Sequence, residues 1–196
     1  MPKIVDHLQR RRELIDATWR IIARRGLAGA TMRQIAEEAG YANGALKPYF
    51  PTKVDLLKAT YTHVYGETEK RIAQSIEGLR GLDALRAMCL EILPINERLQ
   101  DEARIVVSFW DSAVQNSERT KLAAETIAQW RTMIKKMLVE AHDDGHIRAL
   151  PNVEATASSM VSLLQGSQID AVMDPAGFTP ERLIEQLEAY LDLFRK

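Results

Sequence analysis

The chain has a single cysteine, Cys89, among its 196 residues. No internal disulfide is possible, and a reducing compartment, the cytoplasm, fits. With no CxxC partner, Cys89 reads as a core residue. No apolar run approaches the ~20 residues needed to span a bilayer, so no membrane partner is expected. The N-terminal stretch does not read as a signal peptide, because Arg10-Arg11-Arg12 and Glu13 interrupt it. No segment alternates with period two, so no strands are expected. Phosphate loops, Ser-His-Asp sets and paired-carboxylate motifs are missing as well. No catalytic site and no cofactor is therefore read. His142-Asp143-Asp144-Gly145-His146 gathers metal-ligand types. Gly145 ends a helix there, and His complements a helix C-terminus, so the cluster is read as structural and no metal site is assigned.

What remains is an ordinary composition, 46% apolar and 27% charged, with enough length for a sizeable core. The net charge of −1 hides an asymmetry. Residues 1–53 hold ten Lys/Arg and five Asp/Glu, a net of +5, whereas residues 54–196 hold sixteen and twenty-two, a net of −6. A basic segment on an acidic body is the footprint of a chain that binds nucleic acid with one end.

The same segment carries a motif, TMRQIAEEAGYANGALKPYFPTK over residues 31–53. Thr31 and Gln34 form a capping box ahead of the apolar Ile35, Ala36 and Ala39. Gly40 permits the left-handed conformation that ends a helix. A second short helix follows, with Leu46 and Phe50 on its buried side. Thr52 and Asp55 form another box. Two short helices joined by a glycine turn make a helix-turn-helix, which sets its second helix in the major groove. Asn43 and Lys47 share one face of that helix; Asn43 suits a base edge, and Lys47 suits guanine or a phosphate. Small Ala42, Gly44 and Ala45 permit close approach. Tyr49 and Lys53 suit phosphates, Lys53 from a helix N-terminus, Arg33 suits a phosphate or a base, and Thr31 is counted with the DNA-binding residues at the start of the first short helix. Pro48 removes an amide and crowds the carbonyl of Gly44, so the second helix should be short or bent. Ala42 leaves it without a hydroxyl cap, at a cost of ~1 kcal/mol. Arg10-Arg11-Arg12 reads either as an arm toward DNA or as a solvated helix face.

Thr31-Met32-Arg33-Gln34-Ile35-Ala36, Gly40-Tyr41, Gly44-Ala45-Leu46, Tyr49-Phe50 and Thr52-Lys53 together resemble the signature of the tetracycline-repressor (TetR) family of bacterial regulators. The resemblance runs from about Leu14 to Leu57. Lys47-Pro48 stands where the family usually has an aromatic and a His or similar residue. Ala42 likewise replaces its usual Ser or Thr. The far C-terminus, QGSQIDAVMDPAGFTPERLIEQLEAYL, is similar to the branch containing the choline-responsive repressor of betaine synthesis.

The rest of the chain reads as helices over about Asp6–Arg25, Thr52–Gly78, Leu82–Asn96, Asp101–Gln115, Glu118–Asp144, Asn152–Met173 and Thr179 onward, the last with Pro180 at its first position. With the two short helices this makes about nine, in an all-α fold. A three-helix DNA-binding domain over residues 1–51 precedes a helical effector-binding and dimerisation domain over 52–196. Tyr61, Tyr65, Met88, Phe109, Trp110, Trp130, Met133 and Met137 lie on central helices of that body. They read first as plain core. The resemblance implies a cavity among them for a small apolar or cationic effector, oriented by Gln165 and Gln168. Val153, Ala157, Met160, Val161 and Leu164 on one helix, and Leu183, Leu187, Tyr190, Leu191 and Phe194 on the last, form stripes that internal packing alone could explain; the resemblance to two-fold repressors, which need two recognition helices on a palindrome, favours them as a four-helix dimer interface.

The resulting expectation is a cytoplasmic, homodimeric, ligand-responsive repressor on a palindromic duplex operator. An effector-independent regulator or an activator is the alternative within the class. An all-helical enzyme or an interaction module is the alternative outside it. The basic head and the missing catalytic set argue against the latter two.

Overall fold

The computed structural model describes residues 6–114 and 116–196. Among them are eight α-helices and no strand. They are α1 His7–Arg25, α2 Met32–Glu38, α3 Lys53–Ser75, α4 Gly81–Leu90, α5 Glu97–Ala113, α6 Ser117–Asp143, α7 Val153–Met173 and α8 Pro180–Asp192.

Most helix ends are written in side chains. Asp6 accepts from the amides of Leu8 and Gln9 and starts α1. Gly26, at φ 66°, ends it, donating its amide to the Ile22 carbonyl. The boxes at Thr31/Gln34 and Thr52/Asp55 are both closed. Asn152 and Thr179 cap α7 and α8, the latter with Pro180 in the first turn.

Four boundaries differ from the expectation. The ninth helix, between Gly40 and Thr52, is only a 3-10 turn over Asn43–Ala45 with no side-chain cap. Pro48 offers no amide to Gly44, so the turn cannot propagate as α-helix. α4 stops at Leu90, six residues before Asn96. The Pro94 ring would clash with the carbonyl four residues back, that of Leu90. α5 begins at Glu97, not near Asp101, because Asn96 caps it by accepting from the Leu99 amide. α6 begins at Ser117, one residue before Glu118, because Asn116 caps it by accepting from the Arg119 amide.

The helices enclose two apolar clusters. One joins α1 and α2 to Leu46, Phe50 and the first turns of α3, and extends to Ile105, Val106 and Phe109 of α5. The other fills the body between α4, α6, α7 and α8. α3 feeds both: Leu56 and Leu57 enter the first and Ile72 the second. The tail is pinned where the Arg148 amide donates to the Phe194 carbonyl at 2.9 Å.

Candidate DNA interface and effector cavity

The basic end presents a compact head. Leu46 and Phe50 are fully buried, so the segment between α2 and α3 is held from within although little of it is helical. Ala42, Gly44 and Lys47 are exposed, and Ala45 and Tyr49 are partly so. The side chain of Asn43 lies outside the described residues. Thr31 is committed to its capping box. Arg33 is exposed and pairs with Glu37 at 2.9 Å across one turn. So exposed a pair is weak, and little opposes its exchange for a phosphate.

Lys53 has a role that spacing did not reveal. Its Nζ donates to the Leu27 carbonyl at 2.8 Å, tying the start of α3 to the turn after α1. Of its three donors, two remain for an anion. The arginine run is not a loose arm, since it lies within α1. Arg11 stacks 4.3 Å from the Phe50 ring and donates to the Tyr49 carbonyl at 2.5 Å. Arg10 lies 5.0 Å from the Tyr41 ring. Both brace the segment that carries Lys47.

Below the head, α3, α5, α6 and α7 surround a cavity. It holds about 440 Å³ of space between atoms, its mouth included, but only about 20 Å³ lies far enough from every wall to seat a water molecule's centre. The slot is therefore narrow. Tyr61, Tyr65, Trp110, Trp130 and Gln168 line it, as expected. Met88, Met137 and Phe109 do not: they are buried in the two cores, and Phe109 stacks on Tyr61 at 3.9 Å between ring centres. Met133 packs partly buried against the body core, and Gln165 also lies off the wall. The cavity also exposes residues that sequence reasoning missed, above all Glu91 and Glu102.

Those two carboxylates are satisfied. Arg71 donates from Nε to Glu91 at 3.0 Å and from both terminal nitrogens to Glu102 at 3.1 and 2.7 Å. Arg98 and Thr68 also donate to Glu102, and Ser75 to Glu91. Three other wall groups are not satisfied. Trp110 Nε1, Trp130 Nε1 and Gln168 Oε1 are buried without a partner among the described residues. The Tyr61 hydroxyl stands close to Trp110 and Thr126. Each such group costs about 1–3 kcal/mol if left unanswered. The Tyr65 hydroxyl is shared between Glu69, at 2.7 Å, and Gln129. Burial, then the Glu69 carboxylate, raises its pKa well above the usual phenol range. Burial also pushes the Cys89 thiol up to about 12, so it is inert core.

On α7 and α8, Ala157, Met160, Val161, Leu164, Leu183, Leu187 and Leu191 are already buried within this one chain, where they pack against its own helices. Val153, Tyr190 and Phe194 are partly exposed. The outward side of the same helices is an open groove lined by Leu163, Gly166, Asp170, Ala189, Tyr190 and Leu193, among others. A Cβ built on Gly166 would meet nothing within 4 Å.

The chain matches two family models. Residues 14–60 match "Bacterial regulatory proteins, tetR family", and residues 81–196 match "BetI-type transcriptional repressor, C-terminal". The chain belongs to the TetR family. It is a repressor-type DNA-binding transcriptional regulator and not an enzyme; regulators of this family bind DNA and form dimers. Among curated relatives, the regulator PksA of Bacillus subtilis (strain 168) is 27% identical over 184 residues, 93% of this chain and 88% of that protein. The regulator BetI of Serratia proteamaculans is 26% identical over 196 residues, 97% and 95% of the two chains. A Saccharomonospora viridis regulator solved in complex with choline shares the fold, with a TM-score of 0.88 at 21% identity, covering 94% of this TetR-family chain and 96% of its own. No helix among the described residues is long and apolar enough to cross a membrane.

Proposed function

We propose that this regulator is a cytoplasmic homodimer that represses by binding a palindromic operator and releases it when a small effector fills the cavity. Residues 1–51 form the operator-binding unit and residues 52–196 the effector and dimerisation unit. One observation carries the reading: α3 serves both ends. Its Leu56 and Leu57 close the core of the head, and its Tyr61, Val64, Tyr65 and Thr68 line the cavity. A ligand that displaces the middle of α3 therefore moves the head. A two-fold repressor needs its recognition elements about 34–36 Å apart, so a small tilt of each α3 changes affinity.

In this reading Lys47, which follows small Ala42, Gly44 and Ala45, approaches the bases, and Asn43 is the second base-reading residue. Arg33, Tyr49 and Lys53 hold phosphates, and Thr31 keeps the N-terminus of α2 in place. The dimer forms through the outward groove of α7 and α8. The apolar Leu163, Tyr190 and Leu193 give that groove burial to gain, and Gly166 gives it room. The effector is small and largely apolar or cationic. Four aromatic side chains on the wall favour a cation over their faces. The choline complex of the Saccharomonospora relative makes quaternary ammonium compounds the first to screen.

The experiment is binding of the full chain to the duplex upstream of its own gene, against a shuffled duplex. Lys47→Ala is expected to cost about 1–3 kcal/mol on the upstream duplex and less on the shuffled one. Lys53→Ala should weaken both alike and also cost about 1 kcal/mol of stability through the lost bond to Leu27. Equal losses on both duplexes for Lys47→Ala would make it a phosphate contact. Equal affinity of the unaltered chain for both duplexes would remove the operator reading.

A further inference from the structure

We infer that the effector carries a hydroxyl group on a largely apolar skeleton, recognised by Trp110 Nε1, Trp130 Nε1 and Gln168 Oε1. The inference rests on the effector cavity proposed above and names the chemistry that cavity selects.

The three residues that carry these groups all line one cavity. The groups are buried with no hydrogen-bond partner among the described residues, and Trp130 and Gln168 are each only 5% exposed. Native proteins leave few such groups, and each calls for an explanation. Their scatter over α5, α6 and α7 makes a shared accident of one helix face a poor one.

The orientation of Gln168 is fixed by its surroundings. Its Nε2 donates to the Ile92 carbonyl at 3.4 Å. Flipping the amide would set oxygen against oxygen, so Oε1 is the free acceptor. The complement of the site is then two acceptor lone pairs and one donor hydrogen. A hydroxyl has this inventory.

Charge does not compete as the discriminating feature. Glu91 and Glu102 are both held by Arg71, and Glu102 also by Arg98. No wall carboxylate is left for an ammonium to pair with. A cation meets ring faces only, and its recognition still turns on what it offers the two indoles and the glutamine. The narrow slot between Tyr61, Trp110 and Trp130 suits a flat skeleton.

The test titrates the full chain with 4-methylphenol and with 4-methylanisole, which differ in the hydroxyl hydrogen and one methyl. Binding is read by calorimetry, and operator release is read separately. The phenol is expected to bind at least ten-fold tighter. Gln168→Met fills similar space and removes the acceptor that only the phenol hydrogen can answer. It should erase most of that preference by weakening the phenol and leaving the ether unchanged, which a general loss of packing would not do. Equal binding of the two probes, or no binding of either, overturns the inference. A ten-fold preference without operator release upholds it while removing the cavity from the repression switch. Release by both probes equally overturns it and leaves the switch intact.

Discussion

Leu187→Glu is expected to unfold the chain, and Leu193→Glu, six residues further on, is expected to leave it folded as a monomer. Leu187 is 1% exposed in the body core, whereas Leu193 is 69% exposed at the rim of the outward groove. A carboxylate in place of Leu187 loses a buried side chain, worth about 2–5 kcal/mol. It also adds the desolvation of an unpaired charge. The total of about 5 kcal/mol or more reaches the whole stability of many domains. The Leu193 carboxylate stays in water in the single chain and is buried only if a partner covers it. Thermal melts by circular dichroism separate the two variants. Sedimentation then reports whether Leu193→Glu gives monomers. A cooperative, unshifted melt for Leu187→Glu would contradict the core assignment. An unchanged dimer for Leu193→Glu would move the seam away from this groove.

The second large effect lies at the Arg71 cluster. Arg71→Met is expected to cost about 3 kcal/mol, because it strips Glu102, only 4% exposed, of its two-pronged partner. Methionine keeps the apolar stem, so the loss is mainly of charge pairing. Arg98 and Thr68 still donate to Glu102, which holds the figure to the lower end of the range for broken buried pairs. For a chain of this size the melting temperature should fall by about 6–12 °C at fixed protein concentration. Replacing Glu102 by Leu in the same variant should recover part of the loss, since an apolar pair leaves no orphaned charge. Differential scanning calorimetry of the two variants decides it; a double variant weaker than Arg71→Met alone would contradict the pairing argument.

The head was largely legible in the sequence because its signals are local. A capping box, a glycine stop and a buried aromatic each act within a few residues, and Thr31, Gly40, Phe50 and Thr52 stand where their spacing placed them. Pro48 gave the right direction for the segment that follows, though its α-helix shortened all the way to a 3-10 turn. The Leu90 end of α4 was readable from Pro94, and the Asn96 cap from its residue type; the apolar run through Ile92, Leu93 and Ile95 masked both.

The cavity was only half legible. Aromatic positions on α3, α5 and α6 are visible as types, but which of them face a void and which fill a core depends on packing between helices far apart in sequence. Tyr61 lines the cavity and Phe109, stacked on it, does not. A further signal is Glu102, which stands on the otherwise apolar stripe of α5 between Leu99 and Val106, with Thr68 on the facing stripe of α3 between Val64 and Ile72. A polar residue on a buried stripe needs a partner, and here Arg71 provides it. The α7 and α8 stripes had two readings from spacing alone. Leu187 and Leu191 are buried within the single chain, and the outward side of α7 and α8 is left open.

The coupling of cavity to head is the centre of the account, and reciprocity tests it directly. The affinity of the full chain for choline would be measured by quenching of Trp110 and Trp130, once alone and once with saturating upstream duplex. Upstream duplex is expected to weaken choline binding by the same factor by which choline weakens binding of that duplex. Choline bound in the cavity with one affinity, duplex present or absent, would contradict the claim that α3 joins the two sites.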